Sequence, residues 1–499
     1  MSVKGCSFLA VATLILVGAA ACSKTDEHRA PASSAPRDTK IPITTTSEEA
    51  RKEFLTARDM ADRLLGTDSI AHYDKAIALD PTFALAEFER SAVSTTGSDF
   101  FAHLAKAVSL SSKASNGERL LILATEAGVN NDPARQRALL EQLEAAHPGD
   151  ERAHFNVGTF YFNQQDFPKA IEHLKKAADL APSFSPAVNQ LGYAYKQSGD
   201  YANAEQAFKK YIELIPNDPN PYDSYAELLL KMGKFDQSIE QYRKALSVDG
   251  NFITSHAGIA SALTYQGKAA EAAAELQKVN EKARNDGERR IGSFGLTILA
   301  LDSGKFDDAM TEVDKRAVVD EKANDVPAMA AGLQVKGDLL VAAGKADAAQ
   351  AVYDRLVKLI EESNLPQQVK ENARLFHHDN LARASLARSD VAGAKTHADA
   401  FMKGAETHGN PVQIRQAHAL QGSIALQEKK YDEALQHLGQ AGSQDPAALY
   451  RSCLAREAKG EHAQAKQLCT QAADFNSLPL FNYALVRTKA KAMAAKIAS

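Results

Sequence analysis

Four positions at a constant step of 34 residues, Gly158, Gly192, Ala226 and Ala260, are all small. Three companion series keep the same step: Tyr161, Tyr195, Leu229 and Leu263; Ala170, Ala204, Ser238 and Ala272; Leu174, Phe208, Tyr242 and Leu276. A small residue, a bulky one three later, a second small one twelve later and a bulky one sixteen later describe an antiparallel helix pair in which knobs meet clefts. A fixed period of this length marks a repeat protein, whose units bury their apolar faces against their neighbours. The turns keep the register too. Gly199-Asp-Tyr201, Gly233-Lys-Phe235 and Gly267-Lys-Ala269 fall inside the pairs, and Pro182 and Pro216 stop the second helix.

The series resembles the tetratricopeptide repeat, whose large-small-aromatic positions, Gly-x-aromatic turn and later Ala, aromatic, Ala and Pro positions are met residue by residue. The unit from Glu151 reads Val157, Gly158, Tyr161, Phe167, Ala170, Leu174, Ala177, Pro182, departing at Gln165, where the family has a turn glycine. The unit from Ser185 reads Leu191, Gly192, Tyr195, Gly199, Tyr201, Ala204, Phe208, Pro216, departing at Tyr211, where a small residue is usual. Weaker copies flank these: Ala76-Ile77 with Asp80-Pro81, and Leu140, Leu143 and Pro148, lie upstream. Downstream come Gly304-Lys-Phe306 with Ala309, Gly337 and Gly344 with Ala349 and Tyr353, Gly422 to Pro446, and a pair from Leu449 through Gly460 and Ala472. The resemblance implies an all-α fold, a right-handed superhelical solenoid of roughly ten to twelve helix-turn-helix pairs over residues 47 to 487. The charged stretch Asn280 to Arg290 breaks the step and is expected to hinge a regular array, residues 47–286, against an irregular one, residues 287–499.

Composition suits thin helix-on-helix layers: there is no Trp, and 7% of residues are aromatic. The formal charge of −5 is spread over interspersed residues of both signs, without a basic stripe, so no nucleic-acid partner is expected. The chain contains no His-Glu-x-x-His, Gly-x-Ser-x-Gly, phosphate-loop or Cys-x-x-Cys motif, and no catalytic residue, metal site or cofactor is expected. Gly233-Lys234, Gly267-Lys268 and Gly344-Lys345 lack the following Ser or Thr of a phosphate loop and fall at turns within pairs. His377, His378 and Asp379 form the densest run of ligating side chains. Adjacent residues on a helix point about 100° apart, so this run reads as a solvated helix face.

At the N-terminus one positive side chain, Lys4, precedes an apolar run from Phe8 to Ala21 that is too short to span a bilayer comfortably. Ala19-Ala20-Ala21-Cys22 then places small residues before a cysteine. This resembles the bacterial lipoprotein signal, with Ala19 where leucine is commoner. The resemblance implies that residues 1–21 are cut away, that Cys22 receives a diacylglycerol and an acylated amino terminus, and that Ser23 directs the protein to the periplasmic face of the outer membrane. Read without the cysteine, the segment is an ordinary secretory peptide. Residues 22–46, with Pro31, Pro36 and Pro42 among small and charged residues, are expected to be a flexible tether. Thr46-Ser-Glu-Glu49 has the spacing of a capping box, which starts the first helix at Thr46. Cys453 and Cys469 each lie eight residues from Glu461, on facing helices of one pair. A disulfide and two small buried side chains both fit that placement.

In the family resembled, positions two, five, nine and twelve of each first helix face a bound segment, which implies a groove containing Phe155, Thr159, Phe162, Asn189, Tyr193, Lys196, Asp223 and Glu227. Varieties that clamp the carboxylate tail of heat-shock chaperones need Lys and Asn at positions five and nine, where this chain has Phe155 with Thr159 and Asp223 with Glu227. A looser similarity, carried by Asp80-Pro-Thr-Phe-Ala-Leu-Ala86, Gly117-Glu-Arg-Leu120 and His147-Pro-Gly-Asp150, is to the repeat arrays attached to bacterial serine/threonine kinases and regulators, and implies a scaffold role alone. The expected function is a non-enzymatic scaffold for envelope proteins, attached to the membrane through its lipid. The alternative is a lipoprotein that captures glycans for uptake, disfavoured by the few aromatic rings available to stack on sugars.

Overall fold

The structure is a computed structural model that describes residues 40–497. Every regular element among them is helical. Twelve consecutive helix pairs, from Glu48–Asp62 with Gly66–Leu79 to Pro446–Ala458 with His462–Ala473, are followed by a single helix, Phe481–Lys496. That last helix lay outside the sequence pattern.

Positions sixteen residues apart recur in all twelve pairs, at 57/73, 88/104, 124/140, 158/174, 192/208, 226/242, 260/276, 297/313, 337/353, 382/398, 422/438 and 453/469, and every one of these residues is buried. A Cβ added to Gly158 would lie 2.7 Å from Leu174, and one added to Gly192 would lie 2.7 Å from the Phe208 ring. The knob also reaches the following pair. Tyr242 packs so close to Gly258, and Leu276 to Gly295, that a Cβ there would sit at 2.1 and 2.4 Å. In the twelfth pair the same two positions are Cys453 and Cys469, which form a disulfide with Cα atoms 5.4 Å apart.

The back half is regular in a different measure. First helices begin at Asp286, Val326, Gln367 and Pro411, steps of 40, 41 and 44 residues, while the sixteen-residue contact is unchanged. The added residues extend the start of the first helix by about one turn, two in the tenth pair, and in the eighth to tenth pairs the end of the second helix by about one turn, on one edge of the solenoid. The stretch 280–290 makes ion pairs of its own. Arg284 bonds Glu288 and Asp68, while Arg290 is buried against Asp320 at 2.6 Å and Asp325 at 2.9 Å.

The coil closes onto itself. The edge where first helices begin in the late pairs meets the edge where first helices end in the early ones. Arg415 donates to the Gln164 carbonyl at 3.2 Å, Gln444 to the Gln197 carbonyl at 3.2 Å and Lys231 to the Phe475 carbonyl at 2.6 Å. Asn410 bonds Asn131, Tyr265 bonds the Ser477 carbonyl, and Arg487 of the last helix bonds Asp302 at 2.6 Å. The fourth pair thus touches the eleventh, and the second pair, through Gly97, touches Pro327 of the ninth. Near the start, the turn of the first pair crosses the ring. Asp62 pairs with Arg152, Arg63 with Asp218 at 2.6 Å and Asp68 with Arg284 at 3.1 Å, reaching three non-adjacent pairs at once.

The tether expected over residues 22–46 is docked in its last seven residues. Backbone N–H groups of Ile41, Thr44 and Thr46 donate to Asp150, Glu118 and Asp80 at 2.8, 2.8 and 3.2 Å. The carboxylates at the pair edges satisfy a strand-like segment that has no partner of its own. Asp80 also accepts from the Thr45 hydroxyl at 2.6 Å, and the cap of the first helix is Ser47, which accepts from Ala50 at 3.1 Å, instead of Thr46. Residues 1–39, with Cys22 and the rest of the tether, lie outside the described residues.

Gln165, the departure from the turn glycine, takes a left-handed φ of 61°, the conformation in which Gly199 sits at 84°. Gln165→Gly should therefore raise stability by about 0.5–1 kcal/mol through relief of that strain, and Gly192→Leu should lower it by about 1–3 kcal/mol or more by overpacking Phe208. Denaturant melts followed by circular dichroism check both signs. Equal midpoints for parent and Gly192→Leu would contradict the packing register.

Candidate functional surface

First helices place their polar side chains on the inner face, and successive first helices face one another one turn out of step. The result is a ladder at a spacing of 31 residues: Arg58 to Glu89, Tyr193 to Ser224, Lys196 to Glu227 and Asp223 to Thr254. Lys196 and Glu227 meet at 3.2 Å, and Asp223 also accepts from the Ser255 hydroxyl at 2.6 Å.

This geometry corrects the expectation of an open groove. Phe155, Asn189, Tyr193, Lys196, Asp223 and Glu227 are buried; only Thr159 and Phe162 of the eight remain partly exposed. Phe155 packs edge-on against Phe184 and Tyr193 against Phe208, so both belong to the core. Sequence position marked these residues as inward-facing, but their burial comes from the next pair. Burial, then the charges of Glu227 and Asp223, push the Tyr193 phenol well above its ordinary range.

Several inner-face acceptors have no partner among the described residues: Thr159 Oγ1, Asn189 Oδ1, Gln190 Oε1 and Asn220 Oδ1. Such groups cost free energy when left dry, and they cluster on three successive first helices.

The back half carries denser ionic networks. Arg383 bonds Asp338 at 2.6 Å and Asp379 at 2.9 Å, while Gln334 and Asn380 exchange two amide hydrogen bonds of 2.9 Å. Burial raises the Asp379 carboxyl against the pull of Arg383. Burial lowers the Arg451 guanidinium, with Asp445 opposing. The run His377, His378, Asp379 separates as helix geometry requires: His377 meets Asp354 at 3.1 Å, His378 meets His397 at 3.1 Å, and Asp379 turns inward. Lys231, half-buried where the two coils touch, lies 3.6 Å from the centre of the Phe475 ring and is lowered to about 8 by burial and then by the charge of Lys196.

Comparison with known proteins finds tetratricopeptide-repeat family models over residues 123–183, 185–218 and 220–252, and a tetratricopeptide repeat-like domain model over 254–375. The chain is similar to cellulose synthase operon protein C of Xanthomonas axonopodis pv. citri, 26% identical over 313 residues, which is 58% of this chain and 19% of that one. It is also similar to the human protein O-mannosyl-transferase TMTC3, 31% identical over 140 residues, 25% of this chain and 15% of that one. The chain thus spans less than a fifth of the length of these relatives. Among solved structures, a tetratricopeptide repeat protein from Parabacteroides merdae matches at 15% identity and a TM-score of 0.36, over 57% of this chain and 99% of that one.

Lys231 generates a pH signature. Between about 8 and the ordinary lysine value of 10.5 the unfolded chain holds a proton that the folded chain has released, so stability rises with pH across that window. Relative to Lys231→Met, the parent should gain stability from pH 8 to 10 in parallel denaturant titrations. A constant difference across that range would show that the ammonium is not penalised at the coil contact.

Proposed function

The chain is a tetratricopeptide repeat protein, and from that premise we propose a non-enzymatic scaffold, lipid-anchored through Cys22 at the periplasmic face of a bacterial outer membrane, that holds a segment of an envelope protein on its inner face. Tetratricopeptide repeats mediate protein–protein interaction, which supports the scaffold role. Thr159 and Phe162, the two groove positions that stay partly exposed, carry the binding reading. Phe162, partly exposed beside Thr159, supplies an apolar anchor of the kind that dominates interfaces. The Cys453–Cys469 disulfide supports an oxidising compartment, in agreement with the lipoprotein-like segment that ends at Cys22.

Two measurements test this reading. Cys22→Ala should release the protein from membranes or leave an unprocessed precursor, because the thiol is the acceptor of the diacylglycerol. Unchanged detergent-phase partitioning would refute the anchor. For the inner face, Thr159→Arg combined with Phe162→Glu should abolish crosslinking to envelope proteins with unchanged helicity; Phe155 and Tyr193 are avoided because their loss would report folding. Retention of every crosslinked partner by the folded double variant would move the binding surface elsewhere, and capture of a soluble glycan alone would favour the uptake reading.

A further inference from the structure

Glu144, His154 and His173 come from three successive helices, Pro133–Ala146, Glu151–Asn163 and Phe167–Leu180, and their ligand atoms all lie within 4.8 Å of one another. The cluster straddles the boundary between the third and fourth pairs. His154 is buried, and its Nε2 lies 3.0 Å from the Pro148 carbonyl, which can only accept, so Nε2 carries the proton. In the neutral ring Nδ1 therefore holds a lone pair. That nitrogen faces the cluster, where it lies 2.7 Å from Glu144 Oε1. His173 Nδ1 approaches the same oxygen at 2.9 Å. Two imidazole nitrogens thus converge on one carboxylate oxygen, and among the described residues no lysine or arginine is ion-paired with Glu144.

The same register elsewhere shows what this arrangement lacks. First- and second-helix positions nineteen apart meet repeatedly, at His256 with Glu275, His378 with His397 and His418 with His437. At Glu275 a cation is already present, since Lys278 bonds the carboxylate at 2.6 Å. The other two histidine pairs have no third ligand within reach among the described residues.

We propose that Glu144, His154 and His173 form a binding site for a divalent transition-metal ion of zinc(II) type. Two imidazoles and a carboxylate are a donor set that zinc takes at about 2.0–2.2 Å per ligand, leaving a fourth position for water. The His154 to Pro148 hydrogen bond is the outer-shell contact that fixes the tautomer of a metal-bound histidine. Glu144 and His173 keep 23% and 19% of their side chains exposed, which gives the ion a way in and the water a place. A metal there would staple the third pair to the fourth.

The test uses the untagged full-length protein, stripped with chelator, and zinc chloride as the probe at pH 7, with binding measured by equilibrium dialysis and a chromophoric competitor. The parent should bind one zinc more than His154→Ala and Glu144→Gln, and zinc should raise the melting temperature of the parent but not of these variants. Glu144→Gln keeps the shape of the side chain, and unchanged circular dichroism establishes its fold; His173→Asn, at a partly exposed position, should lose the same equivalent. Cobalt(II) in place of zinc should give the visible absorption of a tetrahedral site in the parent alone. Equal zinc stoichiometry in parent and variants would assign any bound metal to the other histidine pairs and overturn the proposal. Absence of binding to the parent would overturn it as well, leaving the three residues as a protonated ion triad.

Discussion

A bulky side chain seated against a small residue sixteen positions earlier, as at Gly158/Leu174, Gly192/Phe208, Gly337/Tyr353 and Gly422/Leu438, is the contact on which the packing of the pairs depends. It sets how closely two antiparallel helices approach, and its knob, as with Tyr242 between Ala226 and Gly258, also sets how the next pair docks. Local packing therefore propagates along the chain through one series of side chains. In the twelfth pair the approach is close enough for the two positions to be joined covalently, as Cys453 and Cys469. The disulfide fixes a geometry that other pairs reach by van der Waals contact.

Much of this was legible in the sequence because the front half repeats at a fixed step. The back half looked irregular because the eighth to eleventh pairs start their first helices earlier, which spoils the 34-residue step while sparing the sixteen-residue one. The inner face was legible in direction and misread in exposure. Lys196 and Glu227 have the polarity of solvent-facing residues, and only the out-of-step neighbour 31 residues away shows why they are enclosed. The metal-ligating cluster was missed for a related reason. Its spacings of ten and nineteen residues match no local motif, and they acquire meaning only once helix positions are placed in register. Thr46 was the cap expected from sequence; in the fold its N–H is taken by the distant Asp80 and the cap is Ser47, one residue later.

Buried charged groups recur within pairs and where neighbouring pairs meet. Arg290 with Asp320 and Asp325, and Arg383 with Asp338 and Asp379, pair charges that burial would otherwise make costly. Breaking one partner of such a set leaves the other uncompensated, so these networks admit few alternative alignments of neighbouring pairs. The alanine-rich apolar layers tolerate sliding far more readily, because apolar contact has no direction.

The contacts between coils change what kind of object this is mechanically. An open solenoid behaves as a spring, since its units touch only along the chain and its ends can be drawn apart by small rotations at every joint. Here Arg415, Gln444, Lys231 and Arg487 bond one coil to the next across roughly half the chain. Tension applied along the axis is carried first by those bonds in parallel, and the array resists as a rigid barrel until they yield together. Beyond that point it would lengthen compliantly, so its response to a pull from an attached partner is a threshold instead of a gradual stretch.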